Sequence, residues 1–168
     1  MGWTIDPFPR EQQYVMIVAP HTSNWDFIVG ILGRISINEK LYFLAKSQLF
    51  QFPLGSLFKK IGGIPVDRSE SHALVEQVTQ NFRENHEFKL VITPEGTRSP
   101  ASKWKSGFFY IAREAKVPIV PVAIDFQNKH IIVGKPFQPH PQLEETLQHI
   151  TQFYQPIKGK HPQELPKA

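Results

Sequence analysis

The chain contains no cysteine among its 168 residues. A disulfide scaffold, a thiol nucleophile and a thiolate-held metal are therefore all excluded. No uninterrupted apolar run approaches the roughly 18 residues that a membrane-spanning helix needs. The opening Met1-Gly2-Trp3-Thr4-Ile5-Asp6 has no basic start followed by an apolar stretch, so it does not read as a signal peptide. Asp6 stands where an N-myristoylation signal carries Ser or Thr, so Gly2 is not read as an acylation site. The histidines at 21, 72, 86, 130, 140, 149 and 161 show no helical His-x3-His pair or other ligand spacing, and no metal is expected. No internal repeat and no linker divides the chain.

Hydrophobic residues make up 40% of the sequence, enough for one globular domain with a core. Fifteen prolines point to many short elements and rigid turns. The net charge of +4 favours anionic partners, whether phosphates, nucleic acid or an anionic membrane surface; its plainer reading is a mildly basic soluble protein. Apolar runs predict strands at Tyr14 to Ala19, Leu41 to Ala45, Ile64 to Val66, Phe88 to Thr93, Ile119 to Phe126 and His130 to Val133. Helical periodicity covers Trp25 to Ile37, with Phe27, Ile28, Ile31, Leu32 and Ile35 on its apolar positions. A second helix follows Ser69, read as its N-cap, and aligns Leu74, Val75, Val78 and Phe82. Ser106 to Ala115 is a third, and Leu143, Leu147, Ile150 and Tyr154 mark the last. Pro53 and Gly55 break the apolar and basic stretch Leu49 to Ile61. Strands alternating with helices predict a single α/β domain, its mixed and mainly parallel sheet flanked by helices. The motif-bearing core runs over about 15–133, the last helix over about 142–155, and 156–168 is expected to be a loose tail.

Four short blocks carry the chemistry. His21-Thr22-Ser23-Asn24-Trp25-Asp26 sits at a strand end and a helix start, where an imidazole and a carboxylate could meet. A His held by Asp has a defined tautomer and can take a proton from a hydroxyl. The plainer alternative leaves Asp26 favouring the helix N-terminus and His21 on the surface. Gly62-Gly63-Ile64-Pro65-Val66-Asp67-Arg68 brings a guanidinium after a glycine turn; its plainer role is an ion pair with Asp67 or Glu70. In Pro94-Glu95-Gly96-Thr97-Arg98-Ser99, Gly96 allows close approach to the backbone. There Thr97 and Arg98 can hold an anion, and Glu95 could order Arg98 or bind acceptor hydroxyls. Val117-Pro118-Ile119-Val120-Pro121-Val122 reads mainly as a core strand. Lys46, at another strand end, could polarise a carbonyl or simply be solvated.

Taken together and in this order, the blocks resemble the glycerophospholipid acyltransferase family, the 1-acylglycerol-3-phosphate acyltransferase-like group, in its short bacterial form. The resemblance covers about Val15 to Ile124. Pro20 stands where many members have Asn, and Thr93 where many have Phe. The resemblance implies transfer of a fatty acyl group from acyl-CoA or acyl-carrier protein to a hydroxyl of a glycerophospholipid precursor such as lysophosphatidate. His21 would be the base and Asp26 its orienter. Arg68, Glu95, Gly96, Thr97 and Arg98 would form the acceptor site, and Lys46 an oxyanion contact. No cofactor beyond the thioester co-substrate, no metal and no nucleic-acid partner are expected. A cytoplasmic location follows, with peripheral contact to an anionic membrane at its inner face through the Leu49 to Lys60 segment. A same-fold acyltransferase with a non-glycerol acceptor, and a non-catalytic lipid- or acyl-carrier-binding module, remain as alternatives.

Overall fold

The computed structural model of the chain describes residues 2–51, 53, 55–66, 71–96, 103–157 and 159–161, with Ser71 and His72 in backbone only. Seven strands form one sheet: β1 (Thr4–Ile5), β2 (Gln13–Val18), β3 (Tyr42–Lys46), β4 (Gly63–Val66), β5 (Phe88–Ile92), β6 (Ile119–Asp125) and β7 (His130–Val133). Their spatial order is β1-β7-β6-β2-β5-β3-β4. Every neighbouring pair is parallel except the β6–β7 hairpin. The helices are α1 (Asn24–Ser36), α2 (Gly55–Lys60), α3 (Ser71–Glu84), α4 (Gly107–Ala115) and α5 (Leu143–Tyr154), with a 3-10 turn at Ser47–Phe50.

Alternation along the central strands splits the core in two. Val15 and Ile17 of β2, with Ile119 and Ala123 of β6, face α3, α4 and α5, where Val78, Phe82, Phe108, Ile111, Leu147 and Ile150 bury them. Tyr14, Met16, Val120, Val122 and Ile131 face the other side, against Val29 of α1. Strands buried on both faces are continuous apolar runs, which is why β2 and β6 were legible as such. Gly33 brings α1 close: a Cβ there would stand 2.8 Å from Cδ1 of Ile131 and 3.3 Å from that of Ile5. The Arg34 guanidinium ties the end of α1 to the carbonyls of Glu39, Leu41 and Ile61.

The structure differs from the sequence expectation in several places. A short strand, β1, precedes the first predicted one and pairs with β7, where Asp6 accepts from His130 Nε2 at 2.8 Å. The apolar repeat of α1 does form a helix, but its stripe is not the buried face. Trp25 is 52% exposed, Ile28 43%, Leu32 44% and Ile35 63%, while Asp26 and Gly33 point inward. The tail is not loose throughout: residues 159–161 pack on the loop that follows β2. The Ser69 N-cap lies outside the described residues. Among the described residues, no helix is long and apolar enough to cross a membrane.

Candidate active site

The carboxyl ends of β2 and β5 lie side by side, with Ile17 opposite Ile92. The chain leaving β2 through Ala19 and the cis-bonded Pro20 therefore runs beside the chain leaving β5 through Thr93 and Pro94. This is the edge of a parallel sheet where α/β proteins gather ligands.

Ser23 begins α1 as its N-cap. Its Oγ accepts the N–H of Trp25 at 3.2 Å, and the Asp26 carboxylate reaches back to the N–H of Ser23 at 2.8 Å. This reciprocal capping box satisfies amides that a helix start leaves free. The same Asp26 Oδ2 accepts the N–H of Thr22 at 2.8 Å and lies 3.0 Å from His21 Nδ1. With the oxygen already holding two amides, the imidazole meets it off the ideal hydrogen-bond line. Capping and proximity to the imidazole, which the sequence posed as alternatives, coexist at one buried carboxylate. With Nδ1 turned to Asp26, Nε2 is the ring nitrogen that does not meet this carboxylate.

His21 is held from a second direction. Its backbone N–H donates to Glu95 Oε2 at 2.7 Å. Glu95 is 2% exposed, and burial pushes its carboxyl above the ordinary value. The His21 N–H and imidazole oppose that rise, and Asp26 adds to it. Glu95 thus supports the histidine loop directly, a role the sequence did not reveal. Glu95 thereby presents a buried carboxyl to both the amide and the imidazole of His21.

Gly96 adopts φ +65, a conformation that glycine takes without strain. The group that approaches it is a side chain of the protein itself. A Cβ on Gly96 would stand 2.7 Å from Cε and 2.8 Å from Cδ of Lys105, whose backbone N–H donates to the Pro94 carbonyl at 2.7 Å. Lys105 therefore lies across the turn that carries Glu95. Its spacing from the Pro94 block offered no signal in the sequence.

Comparison with known proteins decides the family. The acyltransferase family model matches residues 4–125. The chain belongs to the acyltransferase family. A 1-acyl-sn-glycerol-3-phosphate acyltransferase of Streptococcus pneumoniae is 29% identical over 118 residues, 70% of this chain and 44% of that one. A probable enzyme of the same name from Mycoplasma pneumoniae is 32% identical over 142 residues, 80% of this chain and 53% of that one. The chain spans about half the length of these curated relatives. The crystal structure of the 1-acyl-sn-glycerophosphate acyltransferase PlsC from Thermotoga maritima superposes with a TM-score of 0.63 at 18% identity. It covers 89% of this chain and 68% of that one, and bears out the expected α/β fold.

Of the site residues that the family resemblance implied, the acyltransferase-family core brings His21, Asp26, Glu95 and Gly96 together. Arg68, Thr97 and Arg98 lie outside the described residues. Lys46 ends β3 on the same sheet edge as His21, but β5 stands between β3 and β2. Two strand spacings amount to about 10 Å between backbones. Lys46 is exposed and, among the described residues, makes no ion pair. No group of three or more ligating side chains that could hold a metal occurs among the described residues.

Proposed function

We propose that the chain transfers a fatty acyl group from a thioester, acyl-CoA or acyl-carrier protein, to the free hydroxyl of lysophosphatidate. The observation that carries this reading is His21 with Nδ1 3.0 Å from buried Asp26 and its backbone held by buried Glu95, at the sheet edge of an acyltransferase-family core. Nε2 of His21 takes the proton of the acceptor hydroxyl as its oxygen attacks the thioester carbonyl. The tetrahedral intermediate collapses, the C–S bond breaks, and the departing thiolate takes the proton back from the imidazolium. Oxygen ester and free thiol are the products, and neither oxidant nor metal enters the balance. In this reading Arg68, Thr97 and Arg98 bind the acceptor phosphate, and Lys46 faces the carbonyl oxygen.

The acceptor is a lipid, and the surface beside the site suits one. Trp25, Ile28, Leu32 and Ile35 make an exposed apolar stripe on α1 that begins at the first turn after His21. Leu49 and Leu57 add exposed leucines from the 3-10 turn and α2. Lys59 and Lys60 close α2 with positive charge. Apolar side chains rimmed by lysines suit a protein that lies on an anionic bilayer. Within the 49–60 segment, Phe50 and Phe58 instead pack on one another at 5.9 Å. Phe52 is outside the described residues.

Thiol release from acyl-CoA, with and without lysophosphatidate, tests the reading. Acceptor-dependent release is expected, falling about 10²–10⁴-fold in His21→Ala with the circular dichroism unchanged. Thiol release that ignores the acceptor, or near wild-type turnover in folded His21→Ala, refutes it.

A further inference from the structure

The chain after α5 returns to the catalytic loop. Ile157 packs on the core, and its N–H donates to the Tyr154 carbonyl at 3.0 Å. Gly159 is buried against Thr22 and Pro20. A Cβ there would stand 2.8 Å from Oγ1 and 2.9 Å from Cγ2 of Thr22, and 3.1 Å from Cγ of Pro20. The N–H of His161 donates to Thr22 Oγ1 at 3.2 Å. Thr22 is consequently held from two sides: its N–H by Asp26 and its hydroxyl by the returning chain. Between these contacts, Lys160 places its Nζ 4.5 Å from the centre of the Trp25 ring. The returning segment 157–161 lies beyond residue 125, where the family match ends.

The position of Lys160 is chemically specific. A cation over an indole face is attracted by the ring and kept in one place. Trp25 belongs to the His21–Asp26 block and is half exposed, so the ammonium stands at the open side of the block. Among the described residues, Lys160 makes no ion pair with a carboxylate. A fixed cation with no acidic partner among the described residues, beside a base that in this reading acts on phosphorylated molecules, suits a phosphate ester.

We propose that Gly159–His161 is a C-terminal strap that completes the active site, bracing the His21 loop through Thr22 and presenting Lys160, seated on Trp25, to the phosphate ester of a substrate. The strap rests on the acyl-transfer reading above and adds to it a substrate contact that the family core does not supply. The phosphate belongs either to the acceptor headgroup or to CoA, and kinetics separates the two.

The test compares wild type with Lys160→Ala, Lys160→Arg and Gly159→Val, using palmitoyl-CoA and a soluble short-chain lysophosphatidate. Lys160→Ala is expected to raise the KM of one of them about five- to twentyfold, the lower end for a hydrogen bond to a charged group at a half-buried position, and to leave kcat within about twofold. A rise for lysophosphatidate assigns the headgroup, and a rise for palmitoyl-CoA assigns the CoA phosphates. Lys160→Arg should restore the KM. Gly159→Val, which cannot seat against Thr22, should reproduce the KM rise and also lower kcat at unchanged melting temperature. A second readout needs no turnover: the NMR signal of the Trp25 indole N–H, followed while CoA or short-chain lysophosphatidate is titrated. A ligand-induced shift that Lys160→Ala removes, in a chain that transfers no acyl group, would uphold the strap while refuting acyl transfer. Unchanged KM values in Lys160→Ala together with a Lys160-independent Trp25 shift would overturn the strap.

Discussion

The carboxylate of Glu95 accepts the backbone N–H of His21 at 2.7 Å, joining two residues 74 positions apart. Burial raises the Glu95 pKa, so the sign of its pH effect can be worked out. At acid pH, below its ordinary value, the carboxyl is protonated in folded and unfolded chains alike and costs nothing. As pH rises through the raised folded value, the unfolded chain ionises freely while the folded chain must ionise a buried group. Its contribution to stability is therefore lost as pH rises, and the loss is complete above the folded pKa. Glu95→Gln, which can still accept the His21 N–H, removes that loss. Its melting temperature relative to wild type should increase as pH rises above the ordinary carboxylate range. Turnover should nevertheless fall, because the charge that Glu95 places beside the His21 loop is gone. A pH-independent difference in melting temperature would show that the carboxyl does not titrate in this range.

Asp26 serves the helix start and, in the proposed reading, the base through one oxygen, and Asn separates the two. An Asn side-chain oxygen can still accept amides at the helix start, so Asp26→Asn should lose no more than the roughly 0.5–2 kcal/mol typical of a lost cap. If Asp26 fixes the imidazole tautomer, as the proposed reading requires, kcat should drop about 10²–10⁴-fold. Thermal melting and thiol release on the same preparation check both halves. An active Asp26→Asn enzyme would reduce Asp26 to a cap.

Gly62 shows what the second motif block requires of the backbone. It adopts φ +87, and a Cβ would lie 2.3 Å from the Leu41 carbonyl oxygen. That oxygen is main chain at the start of β3, so it cannot swing aside. Gly62→Ala should cost about 1–3 kcal/mol from conformation alone. The collision adds to this. Denaturant titration should show a clear loss of stability or no folded protein. Gly30→Ala, whose Cβ meets nothing within 4 Å, is the control and should remain folded.

The apolar stripe of α1 makes a separate prediction about membranes. Ile28→Ser/Leu32→Ser/Ile35→Ser removes exposed side chains, so melting should change little. Flotation with anionic vesicles at low salt should be lost in this variant and retained by wild type. Equal flotation of both proteins would assign bilayer contact to another surface.

Tyr154 shows how the distant core supports the site. Its fully buried hydroxyl donates to the Ile17 carbonyl at 2.6 Å and accepts the Val122 N–H at 3.2 Å. One helix residue thereby fixes the two strands beneath the His21 loop. Burial raises its pKa well above the ordinary value, so it remains neutral at physiological pH. Tyr154→Phe leaves those backbone groups without this partner, and chemical denaturation should register a loss of about 1–3 kcal/mol.

The sequence by itself determined the strands and helices whose apolar periods were unambiguous. The buried runs of β2 and β6 and the Leu147, Ile150 and Tyr154 face of α5 needed no tertiary context, because burial on both faces or along one stripe writes its own pattern. It also set His21 at a strand end and Asp26 at a helix start, where the two could meet; the 3.0 Å approach came from the fold. The two-residue β1 was too short to leave a period, and α1 misled because its stripe faces outward. Only the tertiary structure decided what lies across the site. Parallel pairing of β2 with β5 set Glu95 against the His21 amide, and the return of the chain after α5 set Gly159 and Lys160 on Thr22 and Trp25. Contacts between distant segments depend on strand order and packing direction, and neither is encoded in the local spacing of residues.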